Sequence, residues 1–391
     1  MPYSRIDLRF LNSILEHSPY KFINKSKFKD KSLEKMNALG FNSSQKIIEI
    51  FDDYVNHLNS ELFSPLGRRL HSIMSYQSLK EGSRFLTKNG KREKSLESPV
   101  IVVGLPRSGT TNLHNLIINN FSYTGIPYWK LSCPSRVSRN RYIDRKFRRL
   151  KSYLGFYLYR YFIPSIQSMH TVDLDTYEEC WHFQKNLFLC YNYVIQLKLM
   201  KLEEFLIKMD TSALLNIYKE FILSTSRSSS FALKCPDHLM FLDDISKVFP
   251  DARIVWIHRN PFDAISSYCP MIYSAWELFF KDVSKKDVGD FIVDLYHRMI
   301  TKASKDRDSI RNKIIDVQYS DLIKNPKEVS ELLSYQLQKD IILNNSPNRK
   351  STKFFKNKFK FDANEYQLDE IAINEKFSFY RNRFIKDEKK I

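Results

Sequence analysis

Two arginines and a lysine, each at the end of a short apolar run, are the residues of this chain best suited to gripping anions. The first lies in Pro99–Asn119, where Val100 to Val103 is a short β-branched run, as a strand buried on both faces should be. Gly104 and Gly109 bracket the loop after it, Arg107 sits inside, and Thr110 and Thr111 open a helix. A loop of this shape aims several backbone N–H groups and a helix N-terminus at one point, which makes an anion site. Its spacing is that of a P-loop, a pattern that places Lys directly after the second glycine. Here that position is Thr110, and the cation has moved to Arg107. Without that Lys, ordinary ATP or GTP hydrolysis would lack its clamp on the β- and γ-phosphates.

The second arginine follows a turn at Pro250-Asp251 and a strand pattern, Arg253 to Ile257. His258, Arg259 and Asn260 come at the end of that strand, and Pro261 occupies the favoured first position of the next helix. Ligands of parallel α/β sheets bind at the C-terminal ends of strands, so Arg259 is expected on the same edge as the loop. Ser267 lies about two helical turns further on, and an Arg with a Ser hydroxyl suits a second, separate phosphate. His258 falls on the strand pattern with its side chain directed away from that edge, a structural position. The third cation, Lys234, ends the run Phe231 to Leu233.

Four segments together resemble the sulfotransferases that use 3′-phosphoadenosine 5′-phosphosulfate (PAPS). They are PRSGTT at Pro106 to Thr111, ALKCPDHL at Ala232 to Leu239, RNPFDAISS at Arg259 to Ser267, and YSDLIKNP at Tyr319 to Pro326. Their order across residues 98–333 is that of the family, and FSFYRNRF at Phe377 to Phe384 resembles the final helix of its bacterial-type branch. The resemblance implies an α/β fold, a P-loop-like three-layer arrangement around a central parallel sheet. It implies PAPS as cosubstrate, an acceptor hydroxyl, and in-line sulfuryl transfer, which parallels phosphoryl transfer. Arg107, Ser108, Gly109, Thr110 and Thr111 would bind one phosphate of the cosubstrate, and Arg259 with Ser267 the other. Arg107 and Lys234 would stabilise the charge gathering on the leaving oxygen. No metal is expected, because no acidic cluster at ligand spacing lies beside the loop; Asp243-Asp244 sits within a helix-like stretch and reads as a cap or a solvated pair.

The acceptor needs a base. In DLDTYEECWHFQ, Asp173 to Gln184, Asp175 or Thr176 could cap a helix on which Glu178 and His182 share a face. Bacterial-type members carry a similar paired-Glu helix, which makes Glu178 and Glu179 candidates; helix-dipole complementation is the alternative for both. His238 is the other candidate. The cytosolic branch places its catalytic His two residues after the strand-ending Lys, whereas His238 lies four after Lys234. That branch also follows its loop with an aromatic that stacks the adenine, and Asn112 stands there instead.

The elements that must carry these residues fill a chain of 391 residues with 43% hydrophobic content, enough for a full core. Residues 1–97 read as a mainly helical N-terminal extension, from the 3–4 spacing in FLNSILEHSPYKFI and SQKIIEIFDDYVNHLNSELF. Residues 98–391 read as the catalytic domain, with a basic and aromatic insertion at about 128–168. The insertion is expected to be an amphipathic helix with a solvated basic face and a buried aromatic face, or else a lid over the acceptor. The net charge of +18 invites nucleic-acid binding, but no recognition motif accompanies the spread of Lys, including the clusters at Lys21 to Lys31 and Arg349 to Lys360. Five scattered cysteines without a C-x-x-C pair fit reduced thiols and a cytoplasmic setting. No signal-peptide core or membrane-spanning run is evident. Two other readings of the loop stay open, a small-molecule kinase and a catalytically silent nucleotide-binding scaffold.

Overall fold

The computed structural model describes residue 34 and residues 45–88, 96–163, 173–225, 230–342 and 362–385. FLNSILEHSPYKFI and both basic clusters named above lie outside these residues. The chain divides into two compact units, one of residues 1–91, 127–209 and 271–284, the other of residues 92–126, 210–270 and 285–391.

The second unit holds the sheet. Four parallel strands, β1 (Val100–Val103), β2 (Ala232–Lys234), β3 (Arg253–His258) and β4 (Ile314–Gln318), are ordered β2-β1-β3-β4. β1 is wholly buried, which is why its sequence is a continuous apolar run and not an alternating one. The register sets Val102 opposite both Lys234 and Val255, so β2 ends one residue before β1 and β3 runs two residues past it. Flanking helices include α1 (Thr110–Asn120), α2 (Leu242–Val248), α3 (Pro261–Phe279), α4 (Lys285–Arg307), α5 (Pro326–Leu337) and α6 (Ser378–Phe384). α1 packs on β1 and β2 and against α5, where Asn120 Nδ2 donates to Ser330 Oγ at 2.8 Å. α4 packs against α2 and the 3-10 turn Pro236–Phe241. Pro261 opens α3 as its sequence position predicts; residues of α3 from Met271 onward belong to the first unit. Asp243 and Asp244 stand in the first turn of α2, and Asp244 accepts from the Thr211 backbone and hydroxyl at 2.9 and 2.6 Å.

The first unit is helical. Helix Gln45–Leu58 buries Ile47, Phe51, Tyr54, Val55 and Leu58, the 3–4 spacing read from the sequence. Tyr54 donates to Ser75 Oγ at 2.7 Å and meets His71 Nδ1 at 3.0 Å, which ties this helix to Pro65–Lys88. Gly67 lies against the chain at Phe279, where a Cβ would come within 2.5 Å of the Phe279 Cα. Helix Arg141–Phe162 forms where the insertion was expected, with Arg141, Arg145, Lys146 and Arg160 exposed, but its aromatic side is exposed too and not buried. The inward face is polar, built on Asp144, Arg148 and Ser152, and most of the large apolar side chains point out. This exposure has a local cause: Arg148 donates to the Cys133 carbonyl at 2.7 Å and to Asp144 at 3.2 Å, and Ser152 bonds Ser132 at 2.9 Å. These bonds satisfy open carbonyls of the preceding loop, which apolar side chains could not do.

Candidate functional site

The loop between β1 and α1 is shaped by two residues in the left-handed region, Arg107 at φ 65° and Gly109 at φ 94°. Gly109 has no substitute, because a Cβ there would also come within 2.7 Å of the Tyr319 ring. Arg107 is an L-residue in the left-handed region, a strain of about 1–2 kcal/mol that surrounding contacts must hold. Three do so. The Arg107 carbonyl accepts from Arg259 Nη1 at 2.7 Å, its Nε donates to Ser267 Oγ at 3.1 Å, and the preceding Pro106 carbonyl accepts from the buried Tyr296 hydroxyl at 2.7 Å.

After the loop, α1 begins without a side-chain cap, since its N-cap is Gly109. The first N–H groups of a helix have no intrahelical partner and carry the positive end of its dipole. Lys234, fully buried at the end of β2, donates to Thr111 Oγ1 at 3.0 Å in the first turn of α1. Its strand is Ala232–Lys234, one residue later than the sequence pattern placed it. Ser267 stands on α3, and the Arg259 guanidinium lies 4.4 Å over the Tyr319 ring. Arg107, Ser108 to Thr111, Lys234, Arg259 and Ser267 therefore form one connected group at the C-terminal edge of the sheet.

This group is positive and only partly satisfied within the protein. The Ser108 hydroxyl and Arg259 Nε are buried and make no hydrogen bond. Burial, with Arg259 nearby, pulls the Arg107 guanidinium below its usual pKa, partly opposed by Tyr296 and other tyrosines. Two guanidiniums beside an uncapped helix start and unpartnered donors make a cradle for an oxyanion.

The other residues singled out by sequence fall in different places. His258 is fully buried on β3, and its Nε2 donates to Asp316 at 2.8 Å. Its Nδ1 accepts from the Tyr380 hydroxyl at 2.9 Å, and the Phe384 ring stacks on the imidazole at 4.9 Å. Burial lowers the pKa of His258 although Asp316 works against the shift, so the ring is neutral and structural. The Tyr380 hydroxyl also takes a hydrogen bond from the Arg259 backbone, which ties α6 to the base of the anion group. His238 is buried in the turn after β2, and burial alone lowers its pKa to about 4.

Glu178 and Glu179 belong to the first unit, and the helix expected there is only the single turn Trp181–Gln184. Thr176 and Leu174 accept from Tyr128 N and Trp129 N at 2.9 and 3.2 Å, and Tyr177 bridges Pro127. That pairing holds residues 174–177 off the helical path, so Glu178 and His182 do not share a helical face. Glu178 is buried beside the Thr176 hydroxyl at 3.3 Å, and Glu179 accepts from Trp181 Nε1 at 3.0 Å. All five cysteines are buried and unbridged, and burial pushes the Cys269 thiol up to about 12. Among the described residues, no group of His, Cys, Asp and Glu is arranged to hold a metal ion.

Tyr296, Tyr319 and Tyr380 are neighbours of the group to which the sequence reading gave no role. Tyr319 and Tyr380 stand in segments that resemble the family, Tyr296 reads as helix core, and each meets the loop or Arg259 from far along the chain.

Comparison with known proteins agrees with this fold. The profile of the sulfotransferase family matches residues 99–338, which span all four strands. A solved sulfotransferase from Mycobacterium avium, STF9, superimposes with a TM-score of 0.73 over 95% of this chain and 99% of its own, at 19% identity. STF1 from Mycobacterium tuberculosis, also a sulfotransferase, gives 0.69 over 95% and 98%, at 18% identity. No curated protein matches the sequence. With a parallel sheet, a glycine-bounded loop between β1 and α1, and that match across more than half its length, the chain belongs to the sulfotransferase family.

Proposed function

We propose that the chain transfers a sulfuryl group from PAPS to an acceptor hydroxyl by in-line displacement. The observation that carries the reading is the connected cation group around an uncapped α1, in which the Ser108 hydroxyl and Arg259 Nε are buried without a partner. When bound, PAPS supplies an activated sulfuryl group on a phosphate leaving group. Arg107 and the backbone of Ser108 to Thr111 would hold the 5′-phosphate, and Arg259 with Ser267 the 3′-phosphate. Lys234, desolvated and fixed on Thr111, presents a cation where negative charge gathers on the leaving oxygen; fixed charge in a dry site is the largest usual contribution to such a rate. A sulfuryl group carries less charge than a terminal phosphoryl, so these cations suffice without Mg2+. Glu178, Glu179 and His238 are the base candidates, and His238 enters already neutral at pH 7. The five buried, unbridged thiols fit a reducing, cytoplasmic setting.

The test is thermal stabilisation by 3′-phosphoadenosine 5′-phosphate (PAP) beside ATP with Mg2+, followed by transfer of labelled sulfate from PAPS to a panel of hydroxyl acceptors. A ligand at about 100 times its Kd should stabilise by about 2.7 kcal/mol. Stabilisation by PAP with turnover supports the proposal. Stabilisation by ATP alone points to a kinase, and PAP binding without turnover on any acceptor points to a silent scaffold. The pH–rate profiles of E178Q, E179Q and H238Q then identify the base, because only its loss removes the acidic limb.

A further inference from the structure

Helix Arg141–Phe162 turns its apolar side outward. Ile143, Phe147, Leu150, Leu154, Tyr157 and Tyr161 are each 44–61% exposed. They recur at alternating spacings of four and three, which places all six within an arc of about 80° along the helix. The inward side is occupied by the bonded Asp144, Arg148 and Ser152, so the helix cannot roll its stripe into the core without breaking them. A stripe this long and continuous on a soluble surface marks a contact face.

The charge around the stripe says what it meets. Lys146 and Arg160 are exposed along one edge of the stripe, while the exposed Arg141 and Arg145 lie on the far side of the helix. The helix has one acidic residue, Asp144, buried against Arg148. We propose that this face lies flat on an anionic lipid surface, its apolar stripe in the headgroup region and Lys146 and Arg160 on lipid phosphates. This is the pattern of an interfacial helix, basic beside the apolar face and too polar to cross a bilayer. Among the described residues, no helix is long and apolar enough to span one. The exposed tyrosines suit the interface as well: Tyr153, Tyr157 and Tyr161 form a ladder with centroids 6.0 and 6.2 Å apart, with apolar rings and polar tips. A second copy is a poorer occupant, because stripe against stripe would set basic edge beside basic edge. Nucleic acid would meet the cations and leave the apolar stripe in water. The inference does not depend on the sulfotransfer reading.

The experiment is co-sedimentation of the full chain with vesicles of phosphatidylcholine alone and with about 30% phosphatidylserine, compared with F147E/L154E/Y161E and with K146E/R160E. All five positions are exposed, and circular dichroism and thermal melting check that the variants fold. The wild type is expected to bind the anionic vesicles at least about tenfold more tightly than the neutral ones. The triple variant should lose at least about tenfold of that binding, and the charge variant should lose most of the preference for phosphatidylserine. Hydrogen exchange of the wild type, which needs no variant, should slow across residues 141–162 when anionic vesicles are added. Equal binding by wild type and triple variant, no added protection of this helix, or a dimer that the triple variant dissolves would each overturn the proposal.

Discussion

Replacing Arg259 with Ala removes two things that the structure shows and a third that is proposed. The guanidinium supports the strained loop through its 2.7 Å bond to the Arg107 carbonyl, a charged hydrogen bond contributing about 1.5–3 kcal/mol. It also lies on the Tyr319 ring, which adds about 0.5–1 kcal/mol. Relief of repulsion with Arg107 offsets part of this, so the ligand-free variant should lose about 2 kcal/mol. For a unit of roughly 200 residues that corresponds to a Tm lower by about 4–8 °C. If Arg259 also grips the 3′-phosphate, calorimetric titration with PAP should show a further loss of about 1.5–3 kcal/mol, which is about 10- to 150-fold in Kd. Arg259→Lys keeps the charge without the fork and should fall between the two. A ligand-free Tm within about 1 °C of wild type would refute the supporting role of the Arg107 bond. An unchanged PAP affinity would take Arg259 out of the anion site whatever its effect on stability.

Lys234→Met should keep the buried volume and lower kcat by at least about 100-fold while PAP Kd changes far less; parallel losses in steady-state kinetics and titration would make Lys234 a binding residue only. Tyr296→Phe should cost about 1 kcal/mol, or about 2–4 °C in Tm, by leaving the Pro106 carbonyl without its donor. Its PAP affinity should fall although Tyr296 touches the loop backbone alone, and wild-type affinity would show that the loop holds its shape without it. Burial depresses His71 to about 3 and His238 to about 4, so on acidification the unfolded chain takes up their protons first. The stability they contribute is present above their unfolded pKa of about 6.5 and is lost as pH falls toward 4, each with a slope of up to about 1.4 kcal/mol per pH unit. His238→Gln should flatten the fall of Tm between pH 7 and 5, and a curve parallel to wild type would show that His238 is not buried neutral.

The sheet and its anion group were legible because their signals are local. Val100 to Val103 can hardly be anything but a buried strand, Gly109 occupies a position where its φ is required, and Pro261 marks its own helix start. Arg259 and Ser267 follow from that helix alone. The supports of the loop were not legible, since Tyr296 and Pro106 are 190 residues apart and nothing near either announces the bond. Nor does Arg107 advertise its left-handed backbone, which a glycine would have done. Around Glu178 the local pattern favoured a helix and a distant partner prevailed, because pairing with residues 127–129 pre-empted it. In Arg141–Phe162 the period was readable and the direction was not: carbonyls of the preceding loop drew the polar face inward.

Arg107 carries a consequence for how this protein can change over generations. Glycine at 107 would relieve the left-handed strain and remove a desolvated charge beside Arg259, at the expense of the bond to Ser267 and of greater freedom in the unfolded chain. The strain is about 1–2 kcal/mol, the charged hydrogen bond about 1.5–3 and the unfolded-chain freedom about 0.4–1, so with the relieved charge the gains and losses nearly cancel. Every arginine codon is one base from a glycine codon. A single point mutation therefore leads from this chain to one that folds as well, passes any screen for heat resistance or solubility, and lacks the guanidinium proposed to hold the 5′-phosphate. On the proposed function, selection for arginine at this position acts through the transfer and not through stability, so the residue at 107 in any descendant gene would report whether that activity is still in use.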